Sequence, residues 1–367
     1  MRETAPLRLH VLGIPHTITD HDYVACAYTQ KVLKFCKMMT DRGHHVIHYG
    51  HERSNVICSE HVTVTNDAVL QAAYGDHDWR RHQFKHSITD VANTYFNMEA
   101  TAQVLQRAQP NDILCCTWGI GHEPIARAVA HTGIIVCEPG IGYTTGQFSD
   151  FRAYESHAVR NAVEGLQNPQ RWYSRVIPNY FDPDDFDYSP TKSDYVLFLG
   201  RVTELKGIST CIRATAEAGV KLKIAGQGRI SDVGWETTPD HVEELGYADR
   251  ETRRALMRDA RALIIATTYL EPFGGVVVEA LLSGTPIITP FFGAFAEINE
   301  HNRTGFLCHN LQDYVDAIQV ADQIRPENCL MRGLRYSLDS VAPEFERFFQ
   351  DLISVKTGAG WNQLRDS

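Results

Sequence analysis

Two carboxylates and a pair of glycines define the chemistry this chain can do. Glu271 and Glu279 have seven residues between them, and Pro272-Phe273-Gly274-Gly275 lies in that interval. The apolar, β-branched run Ala262–Thr268 before them reads as a buried parallel strand. Val276–Leu282 after them reads as a helix that stops at Gly284, with Pro286 just beyond. A strand that turns through a glycine pair into a helix leaves backbone N–H groups unpaired at the helix start, where the helix dipole also favours negative charge. The order of these elements predicts an anion site at Gly274 and Gly275, flanked by two carboxylates.

Such a site needs sheets that deliver strand ends to one edge. Leu7–Gly13 reads as a strand, Ile14–Asp22 as a polar turn, Tyr23–Asp41 as a long helix ended by Gly43, and His45–Gly50 as a second strand. Further strands are expected at Asp112–Trp118 and Ile134–Cys137. This rhythm predicts a Rossmann-like, doubly wound α/β domain over residues 1–178. Asn179-Tyr180-Phe181-Asp182-Pro183-Asp184-Asp185-Phe186 is acidic and turn-like and reads as a linker over 179–190. A second Rossmann-like domain, 191–340, opens with strand Tyr195–Leu199, a helix ending at Ala218, and strand Leu222–Ala225. In 341–367 the segment Ala342–Val355 places Phe345, Phe348, Phe349, Leu352 and Ile353 on one helical face.

Composition narrows the class. The chain has 367 residues, long enough for two full cores, with 43% hydrophobic and 22% charged residues. The formal charge of −10 is evenly spread: residues 1–190 carry 16 Lys+Arg against 21 Asp+Glu, and residues 191–367 carry 19 against 24. Neither half is a basic nucleic-acid module. No run is apolar enough to span a bilayer, and the N-terminal segment has no signal-peptide core. Nine cysteines without a CxxC pair read as reduced, buried thiols, so a cytoplasmic protein is expected.

The stretch from Glu271 to Phe306 resembles the donor-binding signature of the retaining GT-B glycosyltransferases of family four. The matching residues are Glu271, Phe273, Gly274, Glu279, Ala280, Gly284, Thr285, Pro286 and Gly293, then Glu297 and Gly305-Phe306. The likeness extends to Gly200-Arg201…Lys206-Gly207 after the Tyr195–Leu199 strand, and to His241–Tyr247, which matches the element lining the base pocket. It implies a GT-B fold in which two Rossmann-like domains face an interdomain cleft and the last helix crosses back to the first domain. It implies transfer of a sugar from a nucleotide-diphosphate donor, UDP- or GDP-linked, to a hydroxyl of a saccharide or glycoconjugate, with retention and without metal or other cofactor. Arg201 and Lys206 are then expected at the diphosphate, with Gly200, Gly274 and Gly275. Glu271 and Phe273 are expected around the sugar, and Glu279 at the ribose. A nucleotide-sugar binder without activity, a GT-B phosphorylase, and a transferase acting on a modified nucleic-acid base are the rival readings.

The N-terminal half departs from that family. Its first turn, Gly13–Asp22, carries one glycine rather than a pair. Asp20-His21-Asp22 has the form of a metal-binding DxD but sits where a helix should start, which predicts capping. Glu138 stands where the family has a histidine. It could hold a sugar or acceptor hydroxyl, or bond to local backbone. His16 and His122 are further candidate contacts. Lys31, Lys34 and Lys37 recur every three residues on the first helix and read as a solvated face, though phosphate or an anionic lipid surface would also suit them. In 77–86, Arg80, Arg81 and Lys85 interleave with Trp79 and Phe84, a pattern that would suit a nucleic acid or a sugar phosphate. A ten-residue surface loop also shows it by chance, and that reading is preferred.

Overall fold

The computed structural model describes residues 6–165 and 174–358. The chain alternates strand and helix almost throughout. The first lobe holds β1 (Arg8–Leu12), α1 (Ala27–Asp41), β2 (His45–His51), β3 (Glu60–Thr65), α2 (Asp67–Tyr74), α3 (Val91–Arg107), β4 (Ile113–Cys115), α4 (Glu123–Val129), β5 (Ile135–Ile141), β6 (Phe151–Tyr154), α5 (His157–Gly165) and β7 (Ser174–Val176). The second holds β8 (Tyr195–Leu199), α6 (Ile208–Ala218), β9 (Lys221–Ala225), β10 (Val242–Gly246), α7 (Arg250–Asp259), β11 (Ala262–Ile264), α8 (Gly275–Leu282), β12 (Ile287–Pro290), α9 (Phe295–Ile298), β13 (Gly305–Cys308), α10 (Leu311–Gln319), α11 (Pro326–Gly333) and α12 (Leu338–Thr357).

The sheets run β3-β2-β1-β4-β5-β6-β7 and β10-β9-β8-β11-β12-β13. All their pairings are parallel. Each order reverses direction once, between β1 and β4 and between β8 and β11. Loops leaving the strand ends diverge at such a reversal and open a crevice for a ligand. The loops after β8 and β11 both leave from the reversal of the second sheet, and they carry Arg201, Lys206 and Glu271.

The strand expected over Asp112–Trp118 is shorter, Ile113–Cys115, and the one expected over Ile134–Cys137 runs on to Ile141. Two further differences lie beside the cleft. α1 begins at Ala27, four residues after Tyr23. Asp20 Oδ1 instead accepts from Asp22 N at 2.9 Å and Tyr23 N at 3.3 Å. It closes a turn that precedes the helix, and the helix itself starts without a side-chain cap. The strand expected over Ala262–Thr268 stops at Ile264. Ile265 N still reaches Ile288 O, at 2.9 Å, but Thr268 N bonds Leu205 O at 3.0 Å. The backbone leaves its sheet to meet the loop after β8.

α12 packs on the first lobe, not the second. Phe345 meets Phe35 of α1 edge-on, with centroids 5.3 Å apart, and Tyr180 at 5.6 Å. Arg42 grips Glu346 through two bonds of 2.8 and 2.9 Å. The chain crosses between lobes at Phe181 and again at Ser337, and the crossings are bonded together: Phe181 N to Tyr336 O at 2.9 Å, Leu338 N to Phe181 O at 3.0 Å. Phe345 is 1% exposed. Phe345→Ala should therefore lower the urea-unfolding free energy of the transition that includes the first lobe by about 3–5 kcal/mol. A loss below about 1 kcal/mol would show that α12 does not carry that core.

Candidate functional site

The crevice between the lobes is a cavity of about 690 Å³. That is within the roughly 300–1,000 Å³ usual for small-molecule sites. Its second-lobe wall is built by two loops that press backbone on backbone. Gly207 has φ +73°, and a Cβ there would come within 1.9 Å of Ala266 O. Only glycine allows that approach. The turn before it, Glu204–Lys206, thereby holds Lys206 against Glu271. Lys206 Nζ lies 2.5 Å from Glu271 Oε2, and Tyr269 donates its hydroxyl to the same oxygen at 2.7 Å. Burial, and then the Glu271 carboxylate, push the Tyr269 hydroxyl well above the usual phenol range. The neighbouring Glu204 accepts from Ser209 and leaves Lys206 to Glu271.

Gly274, at φ +77°, caps α8. A Cβ at this position would strike the Phe295 ring at 2.6 Å. The amides of Gly275 and Val276 find no acceptor among the described residues, and the helix mouth opens into the cavity. Gly200 and Arg201 follow β8 into the same space, and Arg201 is exposed there. Glu279, one turn along α8, pairs with Arg253 of α7 at 2.7 Å through Oε2. Phe273 touches the cavity but is 3% exposed. It stacks with Phe181 at 6.2 Å and meets Tyr336 edge-on at 5.6 Å, so its main role is to seat the loop. All eight second-lobe residues singled out from the sequence converge on one cavity.

The first lobe corrects the expectations. Glu138 is fully buried and does not line the cavity. It accepts from Tyr143 Oη at 2.6 Å, Phe148 N at 3.0 Å and Ser149 N at 2.8 Å. Its local-backbone reading is the correct one, because β5 continues through Ile141 and draws Glu138 into the sheet. Burial raises its carboxyl above the usual range. His122 is buried too, against Phe96 at 5.7 Å, and accepts from Trp118 N at 3.2 Å. His16 packs among His86 at 4.8 Å, Trp118 at 5.0 Å and Phe84 at 5.9 Å. Desolvation pulls both rings down to about 3, so each is neutral at physiological pH. Neither lines the cavity.

The lysine stripe is not a solvated face. Lys31 is buried, ion-paired with Glu155 and donating to Gly140 O at 2.8 Å. Lys34 lines the cavity, and Lys37 pairs with Asp41 at 2.7 Å. Tyr28, Lys31 and Glu155 form much of the first-lobe wall. Glu155 was not singled out from the sequence. It directly follows β6, at a strand's carboxyl end, but Arg152 interrupts the apolar run that would have marked that strand. The 77–86 loop reaches across to the second lobe. Gln227 Nε2 donates to Trp79 O and, at 3.1 Å, to His82 O. On the other flank Ser156 Oγ donates to Pro272 O at 2.6 Å. There Glu297 of α9 accepts from His157 N at 2.9 Å and Ala158 N at 2.8 Å, capping α5 from the other lobe. His51, Glu52 and Asp67 form a group of metal-ligand type among the described residues, but it lies outside the cavity, and Arg53 already pairs with Asp67 at 2.6 Å.

Two doubly wound lobes facing one another across a cleft define a GT-B fold. Residues 183–325 match the family model described as glycosyl transferases group 1. An uncharacterized glycosyltransferase of Methanocaldococcus jannaschii is 35% identical over 174 residues, 41% of this chain and 44% of that one. The D-inositol 3-phosphate glycosyltransferase of Mycolicibacterium smegmatis is 33% identical over 182 residues, 44% of this chain and 42% of that one. The chain thus spans less than half the length of these curated relatives. The crystal structure of Anabaena HepE in complex with UDP-glucose shares the fold, with a TM-score of 0.67 at 17% identity, over 94% of this chain and 99% of that one. Over residues 183–325 the second lobe is thus similar to the glycosyl transferases group 1.

Glu138→Ala should cost about 2–4 kcal/mol of stability, since it strands three donors. It should leave nucleotide affinity unchanged. A variant as stable as wild type but weakened in nucleotide binding would return Glu138 to a contact role.

Proposed function

We propose that the protein transfers a sugar from a nucleotide-diphosphate donor, UDP- or GDP-linked, to a hydroxyl of a saccharide or glycoconjugate, with retention and without a metal. The observation that carries this reading is the convergence of Arg201, Lys206, Glu271 and the open amides of α8 on one cavity. The C1–O bond to the diphosphate breaks, and negative charge grows on the departing phosphate. Arg201, Lys206 and the α8 amides meet that charge. Fixed donors aimed at developing charge are usually the largest catalytic term. The new C1–O bond forms on the same face, and the acceptor's proton passes to a departing phosphate oxygen. Glu271, with Lys206 and Tyr269 fixing one oxygen, keeps the other for sugar hydroxyls. Glu279 presents its free oxygen to the ribose. No cofactor is needed beyond the donor. No helix of the described residues is long and apolar enough to cross a membrane. A cytoplasmic location suits the nine unbridged cysteines.

Lys206→Ala and Glu279→Ala should each lower donor turnover, read as release of free nucleoside diphosphate, with the lysine variant losing about 10²–10³-fold. Turnover in chelator should match turnover without it. Wild-type rates in both variants would end the assignment, and sugar phosphate formed without free nucleotide would mark a phosphorylase.

A further inference from the structure

Most basic side chains of the cavity already hold an acid. Lys31 is paired with Glu155, Lys206 with Glu271 and Arg253 with Glu279. Arg201 and Lys34 are different: among the described residues neither has an ion pair or a hydrogen bond, yet both line the cavity, from opposite lobes. Lys34 Nζ stands 4.0 Å from the centroid of the Phe181 ring. The same ring abuts the start of α8, where a Cβ on Gly275 would come within 3.2 Å of Phe181 Cζ. Lys34 therefore flanks the helix mouth from the facing lobe. A half-buried ammonium with an aromatic ring in place of a carboxylate is poorly compensated for its lost water. Lys34 and Arg201, cations without an acid partner among the described residues and on opposite walls of one cavity, leave room for a group carrying two negative charges.

We propose that Lys34 completes the diphosphate site from the first lobe, as the counterpart of Arg201, so that the donor's phosphates bridge the lobes. This rests on the donor reading above. Lys34 is a binding residue on the first-lobe wall, and this role accounts for a lysine standing where burial opposes its charge.

The surroundings of Lys34 make the contact pH-dependent. Burial draws it down to about 8. Glu279, Asp185 and Glu155 act to raise it, and Lys31 to lower it. His21, Arg250, Arg253 and Arg254 face it through a small adjoining cavity. Lys34 is charged below pH 8 and neutral above, so its contribution is full at lower pH and is lost as pH rises through 8.

Calorimetric titration of UDP, GDP and ADP, each beside its nucleoside, into wild type, Lys34→Met and Lys34→Arg tests this. For whichever diphosphate binds wild type, Lys34→Met should weaken it about 10- to 100-fold and leave the nucleoside unchanged. Wild-type affinity for the diphosphate should fall about tenfold from pH 7.5 to 9, while Lys34→Arg holds level. The melting temperature of Lys34→Met should equal or exceed wild type, because methionine keeps the contact with Phe181 without the charge. Unchanged diphosphate affinity in Lys34→Met overturns the proposal alone, as does an equal loss for the nucleoside. A loss confined to the KM of a phosphorylated acceptor also overturns it. If none of the diphosphates binds wild type, the donor reading falls and this contact with it.

Discussion

The close approach of Gly207 to the Ala266 carbonyl sets the geometry on which the cavity depends. Two loops from adjacent strands, one on each side of the sheet's reversal, can touch there only because one residue has no side chain. The contact draws the turn 204–206 onto the segment after β11, where Thr268 N finds Leu205 O. Lys206 and Glu271 come from chain positions 65 residues apart. Their pairing follows from the backbone contact rather than causing it. An ion pair in a half-open cleft is a weak organiser by itself, since solvent screens it and side-chain entropy opposes it. The rigid backbone beneath makes the pair a preorganised feature.

The two lobes are held by different means at different places. Along one flank of the cleft, Glu297 adds two bonds to the start of α5, beside the cap that Ser156 gives Val159 N at 3.2 Å, and Ser156 bonds the carbonyl of Pro272, next to Glu271. Along the other, Gln227 reaches the backbone of Trp79 and His82. These bonds are polar and few, and each joins directly to a loop that lines the cavity. At the base, by contrast, α12 adds Phe345, Phe348 and Phe349 to the first lobe's core, and that union is apolar and large. The flanks can exchange their partners for water at small cost, while the base cannot.

The second lobe was largely legible from the sequence, because parallel strands buried on both faces read as unbroken apolar runs and glycines mark the turns between them. Strand Tyr195–Leu199 and the end of the following helix at Ala218 agree with the structure to the residue. The first lobe was less so. Glu138 and Glu155 both lie near the carboxyl end of a strand, yet β5 runs on past Glu138 while β6 stops before Glu155, and only the latter reaches the cavity. Pattern does not reveal where hydrogen bonding between strands ceases. The lysine stripe misled for a related reason. Spacing of three shows that Lys31, Lys34 and Lys37 share a face, but which face meets the other lobe depends on the rotation of α1 in the packed molecule.

The paired crossings at Phe181 and Ser337 limit how the halves can travel. Two neighbouring backbone segments, hydrogen-bonded to each other, make a short ribbon instead of a single thread. A ribbon of that kind twists readily about its length and resists being sheared sideways. Any opening of the molecule is thereby channelled into rotation about one axis near Phe181, with the largest displacement at the rim farthest from it.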